Sequence, residues 1–226
     1  NLLNYCADLN WDLAAIADGN RFVFEDVGFN ALTAAGLLSM ASLYDAAGQT
    51  ANADDCRLRA REMVSAMEAH LWDDDRGFFY PRYDVENSLH PYRRCLTGLT
   101  PLITGLVDEE KAARVIKNAL TDPRHFYGQH LVPFSSVSET EDEIPSESML
   151  LWRGHCIWAN MNWIAARAAA QYGYDDLATQ ITRATAEMVD REGFREFYDS
   201  RTGTGDGASN FTWPALVLDM IDRYGL

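Results

Sequence analysis

The chain has almost no lysine. Of its 226 residues only Lys111 and Lys117 are lysines, against 17 arginines, 21 aspartates and 13 glutamates, for a net charge of −15. A surface of that sign repels nucleic acid and anionic lipid, so neither is an expected partner. The balance fits two origins: a salt-adapted protein kept hydrated by short carboxylates, or an acidic protein of a GC-rich genome in which arginine replaces lysine. Cysteine is also scarce. Cys6, Cys56, Cys95 and Cys156 are far apart and form no C-x-x-C pair, which favours small buried side chains over a disulfide framework or a zinc site. That usage gives no sign of an oxidising compartment, and the cytoplasm is the expected location. No run approaches the ~20 apolar residues that span a bilayer, so no membrane is expected as a partner. No repeat of about 34 or 40 residues recurs, which argues against a regular solenoid. The chain opens on Asn1 with neither an initiator methionine nor a secretory signal, as a segment of a longer parent would.

What the chain has is apolar and aromatic: 47% hydrophobic residues and 12% aromatic ones, enough for a sizeable core in a single domain over 1–226. Helical periodicity dominates. Residues 27–47 are apolar on most faces, predicting a helix buried on both sides. Cys56, Ala60, Met63, Met67 and Leu71 form one stripe within 50–71. A short segment near 95–105 is interrupted by Pro101, and a helix follows within 108–120. Ile157, Met161, Ile164, Ala168 and Tyr172 mark the next helix, and Leu177, Ile181, Ala184 and Met188 the one after. Trp213, Val217, Met220 and Tyr224 mark the last, with Pro214 in its first turn. Short Gly or Asp turns join these into pairs, so the expected fold is all-α, a stack of about seven helices in hairpins. Two stretches break the pattern: 72–95, a turn and a short aromatic strand, and the loop 121–151. Loops so long and so aromatic are placed at the mouth of a site.

The segment 146–198 carries most of the functional signal. Trp152 and Arg153 stand before an apolar helix, Trp158 and Asn160 open it, and Glu196 lies between Phe194 and Phe197 just ahead of a glycine-rich stretch. Aromatic faces with a few fixed polar groups suit a sugar ring, which has apolar C–H faces and a hydroxyl rim. A carboxylate among them suits proton transfer at that sugar. Gly203 to Ala208 looks superficially like a dinucleotide fingerprint, but it follows a loop with no parallel-sheet pattern around it, so a glycine turn is expected there.

These residues also carry a resemblance. Trp152-Arg153-Gly154 followed by Trp158-x-Asn160-x-Asn162-Trp163 resembles the Trp-Arg-Gly-Pro-x-Trp-x-Asn-x-Asn signature of the inverting hydrolases around glycoside hydrolase family 63. That group takes in mannosylglycerate and glucosylglycerate hydrolases and, more distantly, trehalases. Phe194-x-Glu196-Phe197-Tyr198-Asp199-x-x-Thr202-Gly203 is similar to the group's Phe-x-Glu-Tyr-Tyr-x-x-x-Thr-Gly element, and Phe211-Thr212-Trp213-Pro214-Ala215-Leu216 to the helix start that follows it. His155 stands where the group usually has proline. The resemblance implies an (α/α)6 toroid, of which seven helices would be the C-terminal part, and a small carbohydrate or glycoside as substrate. It implies Glu196 as the general base that activates water. Trp152, Arg153, Trp158, Asn160 and Trp213 are the implied sugar contacts, with Asp26 and Asn30 as further candidates. No metal or organic cofactor is implied. The partner acid of the family lies in a Gly-x-Asp-Asn-Ser type motif, which is missing here. Asn1 fits its asparagine, which would place the acid before residue 1, and Asp8, Asp12 and Asp18 are the internal candidates. Two other readings stay open. A sugar 2-epimerase would need His130 and His155 to converge, and a glycan-binding toroid would need no acid. Asp26 also reads simply as a helix cap.

Overall fold

The computed structural model describes residues 2–19, 23–83, 93–138 and 155–225. Eight α-helices lie wholly in these segments: α1 (Leu2–Asp8), α2 (Leu13–Asp18), α3 (Val27–Ala46), α4 (Thr50–His70), α5 (Glu109–Val115), α6 (Ala159–Gln171), α7 (Asp175–Glu192) and α8 (Leu216–Tyr224). α5 runs on through one wider turn, Ile116–Leu120, and a 3-10 turn, Trp213–Ala215, leads into α8. The seven short strands are β1 (Phe24–Glu25), β2 (Trp72–Asp73), β3 (Phe78–Phe79), β4 (Arg82–Tyr83), β5 (Cys156–Ile157), β6 (Arg195–Asp199) and β7 (Gly205–Ser209). They pair antiparallel as β1–β4, β2–β3 and β5–β6–β7.

Two helical hairpins frame the core. In the first, α3 turns at Gly48 and packs back as α4, whose predicted stripe is the buried one: Cys56, Ala60, Met67 and the following Leu71, joined by Ala53 and Val64. In the second, α6 and α7 pack together across the turn at Gly173. Between them runs the 3-10 helix Leu96–Thr104, almost wholly buried and packed on both α3 and α6. Pro101 lacks the N–H that an α-helical ladder would use, which suits the tighter form. Gly98 sits where the helix meets β3: a Cβ there would collide with Cε1 of Phe78 and lie 2.7 Å from the Phe79 carbonyl oxygen. The aromatic strand expected after residue 72 is therefore wedged into the core.

The structure departs from the sequence reading at four points. α1 and α2 were not expected. They bury nothing within the described residues, and α2 forms because Asp12 caps the amides of Ala14 and Ala15 at 2.9 and 3.2 Å. Ile157 belongs to β5 instead of the next helix, which starts only after Trp158. The expected glycine turn closes at Gly203, at φ +70° with its amide on the Asp199 carbonyl, and the rest of the glycine-rich stretch, 205–209, runs on as a strand. α3 is buried on one side only: Ala31 and Ala34 face the core, while Phe29 and Leu43 are 77% and 66% exposed. This helix is 20 residues long with a mean hydropathy of 1.3, so by length and composition it could cross a membrane. Its inner face is packed against α4 and the 3-10 helix, as in a core helix.

Acid stability has a local source in the loop after α5. Asp122 accepts hydrogen bonds from the Arg124 side chain, at 2.6 Å from Nη2, and from its backbone N–H, and these hold its carboxyl at about 2 against burial. A carboxyl depressed in the folded state stabilises it above the unfolded value near 3.8, and that contribution is lost as pH falls through about 2. The thermal midpoint is expected to drop between pH 4 and pH 2 more steeply in the native chain than in Asp122→Asn, which circular dichroism melts at both pH values will read.

Candidate active site

One end of the helical stack carries a continuous ribbon of extended backbone. The Ser136 amide donates to the Arg94 carbonyl, Leu96 to Phe134, Phe134 to Cys156, and Ser200 to His155, at 2.8–3.0 Å. β6 and β7 continue it through the pairs Ile157↔Tyr198 and Tyr198↔Gly205. At the far side Thr97 lies against Gly28 in the first turn of α3. The N-termini of α3 and α6 and the C-terminus of α7 therefore meet on one face, as they must when antiparallel hairpins stack.

Glu196 is the second residue of β6 and is half-buried. Its Oε2 accepts a hydrogen bond from the Ala208 amide at 3.0 Å. The flanking rings diverge: Phe194 is 42% exposed, whereas Phe197 is buried against Trp158 with ring centroids 5.2 Å apart. Trp158 in turn meets Trp213 at 5.6 Å, and Trp213 meets Phe211 at 5.0 Å. These four rings make an aromatic wall beneath the hairpin. Trp158 is only 1% exposed, so it supports this wall from inside, while the half-buried Trp213 keeps an accessible ring.

The remaining predicted residues separate clearly. Asn160 lies in the first turn of α6, and its side-chain oxygen is buried with no hydrogen-bond partner among the described residues. Such an acceptor is costly to bury alone and suits a ligand donor. Asp26 caps α3, taking the Phe29 amide at 2.6 Å, and the Asn30 side chain donates to the Asp26 carbonyl at 2.7 Å. Both are engaged locally at the rim. Trp152 and Arg153 lie outside the described residues, as does Asn1. Of the internal acid candidates, Asp12 is spent on capping α2, and Asp8 and Asp18 are exposed on α1 and α2.

Around the turn that follows Glu196, Arg201 and Asp199 form a 2.7 Å ion pair. Burial pushes the Asp199 carboxyl up, but hydrogen bonds from Arg201 outweigh it and leave the group below the usual carboxylate range. His155 is near enough to favour the same charge, and His130 approaches Gly203, so both histidines border this turn. Burial and the nearby carboxylates push the Cys156 thiol up to about 12.

One cluster gave no sign in the sequence. His125 is buried, with Nε2 2.5 Å from Nη1 of Arg94 and Nδ1 2.9 Å from Oγ of Ser136. Burial first, then the Arg94 charge, lowers the imidazole pKa and keeps the ring neutral. A guanidinium only donates, so Nε2 is the acceptor and Nδ1–H donates to Ser136. The serine is thus held and not activated, and the cluster ties the ribbon together. Among the described residues no three His, Cys, Asp or Glu side chains gather as a metal site requires.

Residues 2–214 match the family described as the mannosylglycerate hydrolase MGH1-like glycoside hydrolase domain. The chain belongs to this family. A mannosylglycerate hydrolase of Rubrobacter radiotolerans is 30% identical over 222 residues, which cover 97% of this chain and 49% of that protein. The periplasmic trehalase of Salmonella agona is 30% identical over 190 residues, 78% of this chain and 31% of its own. The crystal structure of the GH63 mannosylglycerate hydrolase from Thermus thermophilus in complex with glucose superposes with a TM-score of 0.80 at 26% identity, covering 98% of this chain and 54% of that one. The chain thus spans about half the length of the mannosylglycerate hydrolases it matches. Its helical hairpins are part of an (α/α)6 toroid, the fold class that the resemblance to the family 63 group implied.

Proposed function

We propose that this chain is the C-terminal, base-carrying portion of an inverting glycoside hydrolase that cleaves an α-linked hexoside, with an α-mannosyl or α-glucosyl glycerate as the first substrate to try. The observation that carries the reading is Glu196. It is the one carboxylate of the family's motif, carried on the ribbon beside Phe197 of the aromatic wall and held by the Ala208 amide. In the reaction, water attacks the anomeric carbon from the face opposite the leaving group and gives its proton to Glu196. The bond to the glycerate oxygen breaks as that oxygen takes a proton from an acid on the other face. Inversion needs the two carboxyl groups about 6.5–9.5 Å apart to leave room for the water. Asp8, Asp12 and Asp18 are exposed or spent on capping, which supports an acid supplied from elsewhere in the toroid. Further helices of that toroid would also cover the exposed face of α3 at Phe29 and Leu43. Trp213 would stack a sugar face, and the Asn160 oxygen would accept a sugar hydroxyl.

The test uses the full-length parent protein. Proton NMR would follow hydrolysis of α-mannosylglycerate, α-glucosylglycerate and trehalose. The expected result is turnover of at least one of them: a glycerate would give the β-hexose first and the α-anomer only through mutarotation, and trehalose would give one β- and one α-glucose together, because its leaving half keeps the α configuration. An α-hexose formed first from a glycerate, or α-glucose alone from trehalose, would overturn the inverting reading. Sugar binding without turnover would favour a glycan-binding toroid.

A further inference from the structure

The hairpin that carries Glu196 is irregular directly across from it. Arg195 pairs with Ser209 and Phe197 with Asp206, so two steps along β6 are matched by three along β7. The extra residue is a β-bulge, and Gly207 within it has φ +68°, the left-handed conformation that glycine adopts without cost. The bulge does two things to Glu196. It turns the Ala208 amide away from the strand ladder and onto Oε2, at 3.0 Å. It also leaves the space above the carboxylate empty: a Cβ at Gly207 would lie 2.7 Å from both Cβ and Oε2 of Glu196, and 2.8 Å from Cε1 of Phe197. The bulge is itself tied down, since the Gly207 amide donates to Asp206 at 2.6 Å and its carbonyl accepts from Arg195 at 3.4 Å.

We infer that Gly207 is a positioning residue for the general base: it sets the direction of the Glu196 carboxylate through the Ala208 amide and leaves room for it. The inference rests on the proposed role of Glu196 as base. A strand needs no bulge to be stable, and bulges beside active sites re-aim side chains. A substituted Gly207 would press on the Cβ and carboxylate of Glu196 and on the edge of the buried Phe197 ring, while the accessible Trp213 ring is untouched, so the larger effect falls on the chemical step and the smaller on sugar binding.

The test separates collision from backbone strain. Asparagine tolerates positive φ better than other residues with a side chain. Gly207→Asn therefore keeps the bulge while placing a Cβ against Glu196. Gly173 has φ +78° with nothing within 4 Å of its added Cβ, so Gly173→Asn is the control for the same change without a collision. In the full-length parent, Gly207→Asn is expected to lower kcat roughly a hundredfold, as a misplacement of about 1 Å does. KM should stay within about twofold and the melting temperature near that of the control. A second arm repeats the substitution in Glu196→Ala, with turnover restored by azide. There Gly207→Asn should have no further effect, because the group it positions is gone. A fall in the azide-restored rate would make Gly207 a structural residue and overturn the inference, as would unchanged kcat in the single variant. If Gly207→Asn does not fold while Gly173→Asn does, the bulge serves stability and the inference also fails. An active Glu196→Gln enzyme would instead sink the base assignment beneath it.

Discussion

Glu196→Gln in the full-length parent should lower kcat by about a thousand- to ten-thousand-fold, the contribution expected of a positioned general base. KM should change little. Glutamine has the same shape, and its amide oxygen can still accept the Ala208 N–H that holds Oε2 at 3.0 Å. The aromatic wall of Trp158, Phe197 and Trp213 would be undisturbed, so the sugar should bind as before. What is lost is the ability to take a proton from water as it attacks. Each tenfold loss corresponds to about 1.4 kcal/mol of transition-state stabilisation, so the full effect is about 4–5.5 kcal/mol. Steady-state kinetics on the best substrate, with the melting temperature measured in parallel, will read it. A loss under tenfold in a folded variant would remove Glu196 from the chemistry.

The helices were legible in the sequence because burial on one face repeats every three or four residues. The stripe of α4 was correct almost residue by residue, and the cap at Asp26 was visible from its position before an apolar run. The family itself was legible through the resemblance of the segments around Trp158 and Glu196 to the group around glycoside hydrolase family 63, not through periodicity. What escaped was set by contacts between distant segments. Ile157 follows the helical spacing of the residues after it, yet it pairs with Tyr198 and forms a strand. Gly-Asp-Gly-Ala-Ser has little strand propensity, and β7 exists because β6 offers it a ladder. Residue type could not say that Trp158 supports the wall while Trp213 keeps an accessible ring, since each is a tryptophan at the start of a helix. The exposed flank of α3 had the same origin: composition reports that a face is apolar but not which part of a toroid covers it.

Asn162→Ala should be among the most destabilising single substitutions in the chain. Asn162 is the second asparagine of the family signature and invites a role in sugar binding, but it is 0% exposed and lies inside the fold. Its Oδ1 accepts the Val132 amide at 3.2 Å, and its Nδ2 donates to the Leu131 carbonyl and to Oγ1 of Thr185, both at 2.9 Å. One side chain therefore joins the loop 121–138 to α6 and α7. Truncation would leave a buried amide and a buried carbonyl without partners, at about 1–3 kcal/mol each, for a total near 3 kcal/mol. For a domain of this size that is a fall in melting temperature of about 10 °C. The same loop supplies the 134–136 segment of the ribbon, so its loosening would reach the site through Phe134 and Cys156. A melting temperature within about 2 °C of the native value would show that the backbone at 131–132 finds other partners and that the clamp is dispensable.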